Sequence, residues 1–362
     1  MNVKKVFRVI GKVLLVLLLI IALSLLTMSI VYHVKLSNVE KQLADAGYYH
    51  PVSVGDHSLN VYSCGNENGA HTIVALAGFG DGEMFLGWRQ MTAEIEKDNR
   101  VVFLDRAGYG LSDDITSEIT PESVVEEYRT ALQNAGIQAP YVLMPHSLGG
   151  VYTTYWECTY PDEIEAIVFV DGSICFEIPE DEQLDSGIAG KLMPVIEKLG
   201  LAPIIIRSEY GEFLGKLPDE QQEQAIYMMS RTLGAHAVCN EMDHIDRDFD
   251  HIWRIMEPTD IPKFVISASF SYHTREDFIN DGITADKLIN VWVMPEMKDA
   301  GDDAIYEEAL RIMAQRRTEL AEPFYEKLGS CEVYELAGDH VIFLDKPDEC
   351  SRLVKGFIDG LE

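Results

Sequence analysis

The chain has 362 residues, 29 basic and 60 acidic, for a formal net charge of −31. A surface this acidic repels phosphates, which excludes nucleic acid as a partner. Its six cysteines (Cys64, Cys158, Cys175, Cys239, Cys331 and Cys350) are scattered, with no CxxC pair and no metal-ligand spacing. Nothing therefore indicates a metal centre, and buried free thiols are expected, with Cys331 and Cys350 the first pair to test for a disulfide.

The first predicted element is a membrane anchor. Val13 to Tyr32 is apolar except for Ser24, Thr27 and Ser29 and carries no charge. Twenty residues at about 1.5 Å each span about 30 Å of hydrocarbon. Lys4, Lys5, Arg8 and Lys12 precede the segment with no acid among them, so the tail is expected in the cytoplasm and everything after the anchor outside. A signal-peptide core is shorter, at about 7 to 15 residues, and ends in small residues. Here the exit reads Val31-Tyr32-His33-Val34-Lys35, which favours an uncleaved anchor.

The rest is long enough for one large core with an accessory lobe. Leu59 to Ser63 is predicted to be extended. His71 to Ala77 is continuously apolar, as a strand buried on both faces would be, and ends at Gly78-Phe79-Gly80-Asp81-Gly82. A helix is predicted around 85–97, a strand at 100–104, and a helix from Pro121 to Ala135 with Gly136 as its stop. Tyr141 to Met144 forms the strand leading into Pro145-His146-Ser147-Leu148-Gly149-Gly150, and Val151 to Cys158 continues as a helix. Ser147 thus sits on a sharp strand-to-helix corner, with Gly149 as the small residue that close backbone approach demands. Pro145 stands where glycine is usual two positions before the serine, and its φ near about −65° is compatible with the turn.

The strand at 166–170 ends at Asp171-Gly172-Ser173. From 174 to 256 the pattern becomes helical stretches separated by Gly and Pro, which reads as a lid inserted between strands. Strands resume at 261–268 and 289–293. A charged helical region from 302 to 328, interrupted near Pro323, leads to a last strand, Cys331 to Leu336, and to Ala337-Gly338-Asp339-His340. The alternation implies a mostly parallel sheet covered on both faces. The expected organisation is a cytoplasmic tail (1–12), an anchor (13–32), a juxtamembrane segment (33–56), a first core part (57–173), the lid (174–256) and a second core part (257–362).

Over residues 57–360 the chain resembles the α/β-hydrolase superfamily, in its lid-containing, proline-iminopeptidase-like and esterase-like branch. Four ordered elements carry the resemblance: Gly78-Phe79-Gly80, Asp105-Arg106-Ala107-Gly108-Tyr109-Gly110-Leu111-Ser112, the Ser147 corner, and the late Gly-Asp-His. The resemblance implies Ser147 as nucleophile, His340 as base, and an oxyanion hole made by the backbone N–H groups of Phe79 and Leu148. Ala77 stands where many members have histidine. The orienting acid departs from the usual pattern, because the loop after 261–268 reads Ser269-Phe270-Ser271-Tyr272-His273-Thr274 and has serine where aspartate is expected. Some members use an acid after the preceding strand. Asp171 has that place and is assigned to hold the His340 tautomer, with Asp277 in reserve.

The chemistry leads to the same roles. A serine attacks a carbonyl only when an imidazole takes its proton and donors face the developing oxyanion. Ser147 and His340 both follow parallel strands, beyond whose carboxyl ends reactive groups gather. His146 is read as a packing or turn residue, and Asp105 and Arg106 as braces of their loop. The expected function is a serine hydrolase of a small ester, amide or short peptide, acting through an acyl-enzyme without metal or organic cofactor. The alternatives are an aminopeptidase of the proline-iminopeptidase type, whose amine-binding acids would be Glu241, Asp243, Asp246 and Asp248, and an inactive binding module on the same fold. A haloperoxidase-like or lyase reaction would also fit the scaffold. Oligomeric state is not constrained.

Overall fold

The computed structural model describes residues 3–183, 187–291 and 295–361. Among them an eight-stranded sheet has the order β1-β2-β4-β3-β5-β6-β7-β8. Its strands are β1 (Pro51–Ser53), β2 (Ser58–Gly65), β3 (Thr72–Leu76), β4 (Arg100–Leu104), β5 (Tyr141–Ser147), β6 (Ile164–Gly172), β7 (Thr259–Ser267) and β8 (Gly329–Glu335). β1 and β2 join antiparallel, and β4 through β8 run parallel. Side chains alternate across a strand, so Ile73, Ala75, Val142, Met144, Val168 and Val170 enter one core while Val74, Leu76, Leu143, Ile167 and Phe169 enter the other. Both faces are covered, which is why these strands read as unbroken apolar runs.

The first helix, α1 (Val3–Asp45), is continuous. Residues from Val13 to Ile21 are exposed. Tyr32, Leu36, Val39 and Leu43, spaced by three and four residues along one stripe, are buried in the core. The segment after the apolar stretch is therefore helical to Asp45 and packed against the body of the protein.

On the opposite face lie α2 (Pro121–Asn134) and α3 (Gly149–Thr159). Thr120 starts α2 by accepting a hydrogen bond from the Ser123 N–H at 3.2 Å, with Pro121 at the first position, where no N–H is needed. Between β6 and β7 the chain forms a helical lid: α4 (Gly187–Lys198), α5 (Ala202–Glu209), α6 (Gly211–Lys216), α7 (Asp219–Leu233), α8 (His236–Met242) and α9 (Ile245–Ile255). Then come α10 (Arg275–Asn280), α11 (Ala285–Val291), α12 (Asp302–Arg316), α13 (Glu322–Leu328) and, after β8, α14 (Pro347–Ile358).

Two expectations need correction. The strand expected at 289–293 is not one: residues 289–291 close α11, and 292–293 lie outside the described residues. Ala285, Leu288 and Ile289 have helical spacing and pack with Phe278, Tyr306 and Ala309 in a satellite core, which a strand would not satisfy. The helix expected around 85–97 is three short pieces, Met84–Gly87, Arg89–Thr92 and a 3-10 turn at Ile95–Lys97. The region 302–328 passes through a π-helical turn at Arg317–Ala321, and Pro323 follows in the first turn of α13. All six cysteines, including Cys331 and Cys350, are free.

Candidate active site

Ser147 ends β5 with φ of 46°, the left-handed region that non-glycine residues occupy at a steric cost. Neighbouring backbone holds it there. The Ser173 N–H donates to the Ser147 carbonyl at 2.7 Å. A Cβ on Gly149 would stand 2.5 Å from the Leu76 carbonyl oxygen, and one on Gly78 would stand 2.9 Å from the Ser147 Cβ. The corner is closed against the end of β3, and only glycine leaves room for that approach. Pro145 lies within β5 opposite Leu76. Among the described residues, the N–H groups of Phe79 and Leu148 donate to no backbone carbonyl outside the helices and strands.

Asp171, at the end of β6, also has a positive φ, 47°. Its Oδ1 accepts from the N–H groups of Ala268 and Ser269 at 2.8 and 3.0 Å, and its Oδ2 accepts from the Ser269 hydroxyl at 2.6 Å. The same Oδ2 lies 2.6 Å from His340 Nδ1. Burial opposes the ionisation of Asp171, but the hydrogen bond and charge of His340 and the hydrogen bonds of Ser269 outweigh it and hold the carboxyl below the usual carboxylate range. His340 is the mirror case: partial loss of solvent around the ring disfavours the cation, yet Asp171, Asp339 and Asp81 raise its pKa above the ordinary imidazole value. With Nδ1 committed to Asp171, Nε2 is the nitrogen left for the cleft, onto which the side chain is 46 % exposed.

The loop carrying His340 is clamped from several sides. The Asp339 N–H donates to Asp345 at 3.0 Å, and Lys216 of α6 reaches Asp339 at 3.3 Å and Asp345 at 2.6 Å. His146 donates through Nε2 to the His340 carbonyl at 3.0 Å, and the two rings lie 4.6 Å apart. Burial and the neighbouring His340 push the His146 pKa down to about 3, so this ring is neutral. His146 thus packs as expected and also supports the His340 loop, a contact across 194 positions that no local pattern announces.

The expected braces are in place. Asp105 accepts from Asn60 and from the Leu111 N–H, both at 3.1 Å. Arg106 donates to the carbonyls of Ala77 and Gly78 at 2.6 and 2.9 Å, fixing the glycine loop, and pairs through Nε with Glu241 at 2.9 Å. Glu241 also accepts from the hydroxyls of Tyr109 and Tyr152. It is fully buried and serves as the strut between lid and core, which removes it as an acid exposed to a substrate amine. Neither it nor Asp243, Asp246 or Asp248 lines the cavity described next. Asp277 caps α10, accepting from the His273 and Thr274 N–H groups, and does not contact His340.

Ser147 and His340 open onto one cavity of about 220 Å³. Its walls come from the glycine loop (Phe79), the lid (Tyr210, Phe213 and Met229) and three carboxyl residues, Asp81, Glu83 and Asp339. Sequence reasoning passed over Asp81 and Glu83. Burial raises the Asp81 pKa to about 6, and burial with the neighbouring Asp81 raises Glu83 well above its usual value. The aliphatic and aromatic lining suits an apolar acyl group beside a polar reacting centre.

Residues 72–194 match the family described as alpha/beta hydrolase fold. An uncharacterized protein of Bacillus subtilis, YbdG, is 24 % identical over 362 residues, covering 98 % of this chain and 97 % of its own. Among solved structures, an esterase from Exiguobacterium antarcticum superposes with a TM-score of 0.56 at 13 % identity, over 86 % of this chain and all of that one. A membrane phospholipase A, described as a bacterial virulence factor, superposes with 0.53 at 16 % identity, over 97 % of this chain and 99 % of that one.

Proposed function

Because this chain has the α/β-hydrolase fold with a helical lid, we propose that it is a membrane-anchored serine hydrolase that cleaves an ester or amide through an acyl-enzyme. The observation that carries the reading is Ser147 held at φ 46° in one cavity with His340, whose Nδ1 lies 2.6 Å from Asp171. In the first half-reaction the Ser147 oxygen bonds to the substrate carbonyl carbon and its proton passes to His340 Nε2. The oxyanion is met by the N–H groups of Phe79 and Leu148. His340 then returns the proton to the leaving alcohol or amine as the old bond breaks. In the second, water attacks the acyl-serine, its proton passes to His340 and back to Ser147, and the carboxylic acid leaves. Asp171 keeps Nδ1 protonated and steadies the imidazolium.

The exposed apolar face of α1 and the basic residues before it support a single span with the tail inside and the hydrolase outside. The boundaries 13–32 for the span and 174–256 for the lid go with this reading. The test is intact mass of the full chain in detergent after a fluorophosphonate. We expect one adduct that is absent in Ser147→Ala and strongly slowed in His340→Ala; an unmodified wild type that is folded by circular dichroism refutes the reading.

A further inference from the structure

The lid is seated on the apolar helix, at a level within the stretch read as the membrane span. Gly200, between α4 and α5, lies so close to α1 that a Cβ there would stand 2.6 Å from the Met28 carbonyl oxygen. The Ser29 hydroxyl donates to the Lys198 carbonyl at 2.6 Å, and Tyr32 stacks on Tyr227 of α7 with ring centroids 5.9 Å apart. Met28 and Ser29 fall inside the uncharged run from Val13 to Tyr32. Whatever depth that run takes in a leaflet, α4 and α5 share its outer end.

The outward surface of those two helices suits that position. Leu192, Val195 and Ile204 are each about half exposed or more, at 48, 51 and 55 %. Lys191, Lys198 and Arg207 are exposed around them. Residues 187–209, the two helices and their link, hold three bases and two acids in a chain whose net charge is −31. A helix pair with exposed aliphatics ringed by lysine and arginine is the composition that lies in a lipid headgroup layer, and the local positive charge complements anionic lipid.

The path from this surface to the reacting groups is one helix thick. α7 presents Tyr227 to the anchor and, two residues on, Met229 to the cavity holding Ser147. Tyr210 and Phe213, which follow α5 directly, form the adjoining cavity wall.

We infer that α4 and α5 lie in the leaflet that the anchor enters, and that the cavity behind them takes an acyl ester of a membrane lipid. This rests on the hydrolase reading above and names its substrate class. The bond broken is the lipid's acyl ester. Water supplies the hydroxyl of the released fatty acid, and the lipid's alcohol leaves with the proton carried by His340.

The test uses the full chain in vesicles of phosphatidylcholine with a minor share of phosphatidylglycerol. Hydrolysis of a fluorogenic long-chain glycerolipid ester held in the bilayer is compared with that of water-soluble 4-methylumbelliferyl butyrate. The bilayer-to-soluble ratio should fall about tenfold or more in Leu192→Glu/Val195→Glu/Ile204→Glu. An unchanged ratio, or a wild type that turns over butyrate and leaves the lipid ester intact, overturns the proposal. A second measurement does not depend on turnover: the added emission of Val195→Trp should be quenched by brominated phosphatidylcholine, and an unquenched signal also overturns it. Failure of the hydrolase reading shows separately, as absence of a fluorophosphonate adduct on Ser147 in the same vesicles.

Discussion

Nδ1 of His340 and Oδ2 of Asp171 stand 2.6 Å apart, although the two residues leave different strands and are separated by 169 positions. The contact fixes which ring nitrogen faces the cleft. Asp171→Asn should keep the side-chain shape and reverse the tautomer, lowering turnover of a soluble ester by about 10⁴. Asp277→Asn alters only the α10 cap and should lower stability by about 1 kcal/mol with turnover retained. Steady-state kinetics on the two variants decide, and the opposite ranking removes Asp171 from the mechanism.

His340 accepts a proton only when neutral. Partial desolvation works against its cation, but Asp171, Asp339 and Asp81 raise its pKa above the usual value. As pH falls through that raised pKa the base is lost, so the acid limb of kcat/KM should have its midpoint above the ordinary imidazole value of about 6.5. His146, held neutral down to about 3, contributes no limb in that range. In Asp171→Asn the limb of the residual activity should move to lower pH, and a midpoint that stays put contradicts the assignment.

Glu241 and Arg106 form a buried ion pair at 2.9 Å between the lid and the loop after β4. Glu241→Ala leaves the guanidinium buried beside the Ala77 and Gly78 carbonyls without its counter-charge. The expected loss is about 3–5 kcal/mol, read as a lower urea midpoint. A shift below about 1 kcal/mol would mean that water reaches Arg106 and that the strut is not closed.

Two glycines make a paired test of backbone crowding. At Gly149 a Cβ meets the Leu76 carbonyl at 2.5 Å, whereas at Gly356, inside α14, nothing lies within 4 Å. Gly149→Ala should cost about 1–3 kcal/mol and slow fluorophosphonate labelling, while Gly356→Ala should stabilise by about 0.4–1 kcal/mol. Equal effects would mean that the corner has slack.

The parallel strands were legible because both faces of β3, β5 and β6 are buried, which leaves apolar runs with turn residues at their ends. The corner at Ser147 was legible because it needs small residues at fixed offsets. What escaped depends on partners distant in sequence. Ile289 to Val291 has the β-branched look of a strand, and only the satellite core with Phe278 and Tyr306 makes it helical. Glu241 reads in sequence as a candidate amine-binding acid of the lid, and only its contacts with Arg106, Tyr109 and Tyr152 show it to be a buried strut. Asp81 and Glu83 sit in a loop whose burial comes from elements on other parts of the chain, so their raised pKa values had no local signature.

Leu36, Val39 and Leu43 continue the first helix into the core. A protease that clipped the chain after Asp45 would therefore shed a body with a stripped apolar furrow instead of a finished soluble enzyme. The helix is a structural wall as well as the tether proposed above, and a truncated form meant for crystallisation should begin well before Tyr32, with its apolar outer face masked by detergent.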